Sequence, residues 1–135
     1  MSEKCLVSSC LTGLCTRYDG RSKANASCLQ VLKNFHYIPV CPEQLGGLPT
    51  PRIPAELVGG SGRDVLDGSA VVLTRHGSDI SEQFIAGAVA VLKIAQAQNV
   101  RLALFKAGSP SCGLAPQLGV TSALLLAHNI RIIEF

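Results

Sequence analysis

The sequence predicts an α/β fold, a single-domain three-layer sandwich on a mostly parallel, Rossmann-like sheet. Short apolar runs alternate with stretches of helical spacing from end to end. The runs read as strands covered on both faces, the mark of a parallel sheet. No internal repeat, low-complexity tract or charge block marks a second domain. With 135 residues, the chain can bury about two-thirds of its unfolded surface, so residues 1–135 are expected to share one core.

Each element has its own signal. Cys5 to Ser8 reads as a first buried strand, followed by a turn containing Tyr18-Asp19-Gly20. Ser22 then caps an expected helix whose apolar side is Cys28, Val31, Leu32 and Phe35. Tyr37 to Val40 is a second strand. Cys41 to Gly68 is dense in proline and glycine and is expected to be mostly loop, and a loop that long in a small domain is usually functional. Ala70 to Leu73 forms a third strand. Asp79, with Glu82 three residues later, resembles a capping box opening a long helix to about Gln98, with Asn99 as its stop. Val100 to Phe105 is a fourth strand, Gly108 to Gly113 a tight turn, Gly119 to His128 a last helix and Ile130 to Glu134 a final strand.

Composition narrows the function classes. At 47% hydrophobic and 16% charged, the chain is too apolar for disorder. Its longest apolar stretch, Phe84 to Leu92, holds nine residues, against the roughly 20 of a membrane span. Only Cys5, Leu6 and Val7 separate Lys4 from Ser8, too few for a signal peptide, so the expected address is the cytoplasm. There six cysteines are expected to be thiols or ligands rather than disulfides. A net charge of +3 spread along the chain, with four Phe, two Tyr and no Trp, argues for no extended nucleic-acid groove.

The cysteines divide by position. Cys5 lies within a strand and Cys28 on the apolar face of a helix, where a thiol is a small hydrophobe. Cys10, Cys41 and Cys112 each follow a predicted strand. In a parallel sheet the carboxyl ends of the strands share one edge, where open α/β sheets place their sites, so these three can meet despite their separation in sequence. No close pair of the structural-zinc type is present. Three thiolates on a four-iron cluster leave one iron open as a Lewis acid, and Cys15 is the spare candidate for a fourth ligand. A cysteine nucleophile ahead of an arginine is a further reading. However, six residues separate Cys10 from Arg17, more than an anion-cradling phosphatase loop takes.

Three blocks carry a resemblance. Leu6-Val7-Ser8-Ser9-Cys10-Leu11-Thr12-Gly13 with Tyr18-Asp19-Gly20 forms the first. Cys41-Pro42-Glu43 with Gly46-Gly47-Leu48-Pro49-Thr50-Pro51-Arg52 forms the second. Ser109-Pro110-Ser111-Cys112-Gly113 with Gly119-Val120-Thr121 forms the third. Together with Gly77-x-Asp79, Phe84 and Gly87-Ala88, they resemble, over nearly the whole chain, a bacterial domain-of-unknown-function family that includes the thiouracil desulfidases. The resemblance implies a [4Fe–4S] cluster held by Cys10, Cys41 and Cys112, with one iron free to take sulfur from a thiocarbonyl while water supplies the oxygen. One departure stands out: the family carries more residues between the third block and the Gly-Val-Thr helix, where this chain keeps only Leu114 to Leu118. That leaves the pocket's shape open.

The expected activity is non-redox desulfuration of a thiolated heterocycle such as 2-thiouracil. A tRNA-borne thionucleoside and the oligomeric state are left open. Glu43, two residues after an expected ligand, is the best-placed proton shuttle, although a solvated loop acid reads the same way. Ser109 and Ser111 flank the third cysteine and can position substrate or water, or form a turn. Asp19, Lys23 and Arg52 fall on family-like positions that fit substrate contact or loop positioning. Lys106 can offer charge to the site, while His36, His76 and His128 follow no metal-ligand spacing. The competing classes are a non-catalytic iron–sulfur or sulfur carrier or redox sensor using the same cysteines, and a zinc-stabilised binding domain.

Overall fold

The structure is a computed structural model that describes residues 3–135. Strands β1 (Glu3–Ser8), β2 (Phe35–Val40), β5 (Leu102–Phe105) and β6 (Arg131–Glu134) form a parallel sheet in the order β2-β1-β5-β6. Between them lie α1 (Ala26–Leu32), α2 (Pro42–Leu45), β3 (Ala55–Val58), α3 (Gly62–Asp67), β4 (Val71–Thr74), α4 (Ser81–Ala97) and α5 (Val120–Ala127).

The central strand β1 is apolar on both faces because both are covered. Cys5 and Val7 pack with Leu104, Cys28 and Leu32 on the α1 side. Leu6, Ala103 and Phe105 pack with Val91, Ala95 and Leu125 of α4 and α5 on the other. These are the three predicted layers. Register runs from Glu3 opposite Phe35 to Ser8 opposite Val40, and from Leu102 opposite Arg131 to Phe105 opposite Glu134. The strands therefore end level. The chain leaves β1 for β2 on one side and later returns to β5 on the other, which makes the β1/β5 boundary the topological switch point.

Several sequence expectations need correction. Asn25, not Ser22, caps α1, its side chain accepting the Cys28 N–H at 2.9 Å. The residues before it are held extended, because the Lys23 and Asn25 N–H groups donate to the Cys10 and Leu11 carbonyls. Phe35 opens β2 instead of closing the helix.

The stretch from Cys41 to Gly68 is not mostly loop: it contains α2, β3 and α3. The Ser61 N–H donates to the Asp64 carboxylate at 2.8 Å and starts α3. The expected third strand, observed as β4, stands outside the parallel sheet and pairs antiparallel with β3. This pair packs on α4 through Val72, Phe84 and Ala88. At the start of α4, Asp79 accepts hydrogen bonds from the Ser81 N–H and hydroxyl, and Ile80 is the cap residue, so the Asp79–Glu82 box does not form. Asn99 takes the left-handed conformation that stops the helix.

Two close backbone approaches place the site. An added Cβ on Gly87 of α4 would overlap the Pro42 carbonyl, and one on Gly46 would overlap the Gln83 carbonyl. Helix α2 can lie this close to α4 only because both positions are glycine. Among the described residues no helix is long and apolar enough to cross a membrane.

Candidate active site

The level strand ends put three loops side by side. The turn after β1 carries Cys10, Cys41 caps α2 directly after β2, and the loop after β5 carries Cys112. All three cysteines line one cavity of about 250 Å³ at the carboxyl edge of the sheet, with Glu43, Arg52, Ser109 and Ser111 around it. Among the described cysteines none is in a disulfide.

Glu43 stands in the first turn of α2. Its carboxylate is held from two sides: Arg52 Nε donates to Oε1 at 2.8 Å and the Ser111 hydroxyl to Oε2 at 3.0 Å. With side chains 7% exposed for Arg52 and 14% for Glu43, this is a nearly dry ion pair, shielded little by water. Arg52 also donates from Nη2 to the Thr16 carbonyl at 3.0 Å and lies 3.8 Å from Cys41 Sγ, and from Nη1 to Thr50 Oγ1 at 3.0 Å. One guanidinium fork therefore joins the first and second cysteine loops. The rigid, planar donor set of arginine suits that task.

Ser109 builds the third loop. Its hydroxyl oxygen accepts the N–H groups of Ser111 at 3.2 Å and Cys112 at 3.1 Å, and lies 3.0 Å from Ser111 Oγ. A continuous chain of polar contacts thus runs Ser109, Ser111, Glu43, Arg52. From below, Gly119 supports the loop so closely that a Cβ there would press on the Ser111 carbonyl.

Burial pushes the Cys10 thiol up, and Cys41 adds to this, while Lys106 and Arg17 act the other way. Cys112 is pushed up to about 12 by burial. Hydrogen bonds from the Ser8 and Ser111 side chains oppose this rise, whereas Glu43 and Cys41 reinforce it. Both thiols hold their protons at neutral pH until a cationic group displaces them.

Other sequence candidates lie elsewhere. The Asp19 carboxylate accepts the Arg21 N–H at 3.0 Å within an exposed turn, and Lys23 is exposed with its backbone N–H on the Cys10 carbonyl. Neither lines the cavity, and nor does the exposed Cys15. His36, His76 and His128 are exposed. Cys5 and Cys28 are fully buried in the core, as their positions predict. Lys106 does line the cavity.

The sequence does not single out Ser8 or Thr16, and Arg17 enters it only in the phosphatase-loop reading; all three lie on the cavity wall. A hydroxyl ending an apolar strand was the one signal for Ser8. Thr16 acts partly through its carbonyl, which no residue type announces.

Comparisons with known proteins give the family and the fold. Residues 5–134 match the 2-thiouracil desulfurase family. The uncharacterised protein YbbK of Bacillus subtilis (strain 168) is 39% identical over 141 residues, covering 96% of this chain and 93% of that protein. The solved structure of the [4Fe-4S]-dependent thiouracil desulfidase TudS superposes with a TM-score of 0.82 at 38% identity, covering 98% of this chain and 91% of that one. A family match over almost the full length, joined to a fold that brings the three cysteine blocks to one cavity, places the chain in the 2-thiouracil desulfurase family.

Proposed function

We propose that this protein is a desulfidase that converts the thiocarbonyl of a thiouracil-like heterocycle to a carbonyl with release of sulfide, using a [4Fe–4S] cluster held by Cys10, Cys41 and Cys112. The observation that carries the reading is the convergence of three thiols and one fixed carboxylate on a single cavity. The donor set fits such a cluster. Three cysteine thiols around one cavity would supply the thiolate donors that such a cluster takes. Arg17 and Lys106 beside Cys10 supply positive charge to a group bearing three thiolates.

When bound, the cluster supplies a Lewis-acidic iron with no protein ligand, a soft partner for sulfur. The chain supplies the rest. Water attacks the thiocarbonyl carbon, the new carbon–oxygen bond forms, and the carbon–sulfur bond breaks to give hydrosulfide with no net change in oxidation state. Glu43 takes the proton that water loses, and Arg52 and Ser111 aim its two oxygens. Ser111 in turn contacts Ser109, which lines the same cavity. The fixed carboxylate is what an enzyme requires and a carrier does not.

Anaerobic purification with iron and acid-labile sulfide analysis tests the first half, using the native chain and Cys112→Ala. A brown protein with about four irons, lost in the variant, supports the cluster. A colourless chain that resists reconstitution sinks it. Glu43→Gln tests the second half: sulfide release from 2-thiouracil should disappear while the cluster's absorbance stays, and undiminished release would refute the assigned proton transfer.

A further inference from the structure

We infer that Arg52 is a positioning residue that makes no contact with substrate and instead donates to the Cys41 sulfur, tying that cysteine and the Glu43 carboxylate to one cation; the inference rests on the cluster reading above. A guanidinium carries five N–H donors in a fixed plane. Here each of them has an acceptor. Nε meets Glu43 Oε1 at 2.8 Å, Nη1 meets Thr50 Oγ1 at 3.0 Å and the Pro49 carbonyl at 3.3 Å, and Nη2 meets the Thr16 carbonyl at 3.0 Å and Cys41 Sγ at 3.8 Å. The backbone N–H of Arg52 adds a further tie, to the Tyr18 carbonyl at 2.7 Å. Arg52 lines the cavity, yet with its side chain 7% exposed and every donor occupied it has nothing left to offer a heterocycle.

The Cys41 sulfur changes its role on ligation. As a thiol it gives its hydrogen to the Thr16 carbonyl at 3.7 Å. A ligating thiolate has no hydrogen to give and can only accept, and among the described residues Arg52 is the hydrogen-bond donor on this sulfur. Nη2 has one hydrogen for the carbonyl and one for the sulfur. A cation donating to an anionic sulfur makes a charge-assisted bond, stronger than that of a neutral thiol. Contacts of this kind orient a ligand and tune the group it holds. Because Nε of the same plane holds Glu43, the proton shuttle and the ligand are fixed to each other. A lysine keeps the charge but carries its donors on one nitrogen, which cannot serve acceptors spread around a plane.

The test uses the full chain, labelled with 15N-arginine, reconstituted anaerobically and reduced. Pulsed electron paramagnetic resonance of the wild type is expected to show a 15N coupling from a guanidinium nitrogen. The coupling should vanish in Arg52→Lys and persist in Arg17→Lys, the control for the other arginine on the cavity wall. With 2-thiouracil as substrate, Arg52→Lys should lower kcat by roughly 10–100-fold and leave KM unchanged. A raised KM at unchanged kcat, the mark of a lost substrate contact, overturns the inference. So does a coupling that survives in Arg52→Lys. If that variant fails to fold or to hold iron, the labelled wild type and Arg17→Lys decide: a coupling present in both supports the inference, and its absence from either overturns it. A wild type without a cluster overturns the proposed function, and this inference with it. A brown wild type with no arginine coupling overturns the inference alone.

Discussion

Replacing Arg52 by alanine tests whether its fork organises the site. The substitution removes a nearly dry ion pair and the donors that meet Thr16, Thr50 and Cys41. It strands Glu43, 14% exposed, with Ser111 as its remaining partner. Breaking a buried pair by removing one member typically costs about 3–5 kcal/mol, because the other charge stays behind uncompensated. For 135 residues, an unfolding entropy of about 2.1 cal/mol/K per residue makes 1 kcal/mol worth about 3.5 °C, so Tm should fall by roughly 10–18 °C.

The companion variant Glu43→Gln gives the decisive number. If the two side chains are coupled as the geometry requires, the double variant should be about 1.5–3 kcal/mol more stable than the sum of the single losses predicts. Thermal and urea unfolding of the apo chain, followed by circular dichroism, measure all four corners of the cycle. An Arg52→Ala loss under about 1 kcal/mol, or strict additivity in the double variant, would refute the reasoning, since exposed pairs behave that way.

Three other outcomes are expected. Gly87→Ala should destabilise by about 1–3 kcal/mol despite the better helix propensity of alanine, because its Cβ meets the Pro42 backbone; iron retention should fall with it, and a more stable variant would contradict the packing. Asn25→Ala should cost about 1 kcal/mol by removing the cap on the Cys28 N–H, with Ser22→Ala near neutral in the same melts; the reverse order would restore Ser22 as the cap. The Cys5 thiol is pushed up to about 11 by burial first and by Cys28 second. Because the folded chain holds that proton more tightly, the stabilisation is complete below the unfolded value near 9.0 and is lost as pH rises toward about 11. Urea midpoints should fall across that window, and less steeply in Cys5→Ala; equal slopes would remove Cys5 from the account.

What the sequence by itself determined follows from periodicity and from the strand-end rule. Cys5 to Ser8, Val100 to Phe105 and the long helix ending near Gln98 are local patterns whose apolar content leaves few alternatives to a covered strand or a packed helix. Once the strands are parallel, Cys10, Cys41 and Cys112 must lie on one edge, and the structure seats them on one cavity. The partners of those residues were not legible. Nothing local says that Arg52 reaches Thr16 or that Ser8 meets Lys106, because such contacts join residues far apart in sequence.

The segment from Cys41 to Gly68 shows the same limit from another side. Its prolines and glycines signal turns, yet β3 exists through its pairing with β4, and α2 through a close approach to α4 that Gly46 and Gly87 permit. Asp19 and Lys23 match a motif but are held by neighbouring backbone outside the cavity. Hydrophobic patterning is a property of the chain and survives without its partners. The distances that set which donors a carboxylate or a sulfur meets exist only after distant segments have packed, so the tertiary structure alone decided them.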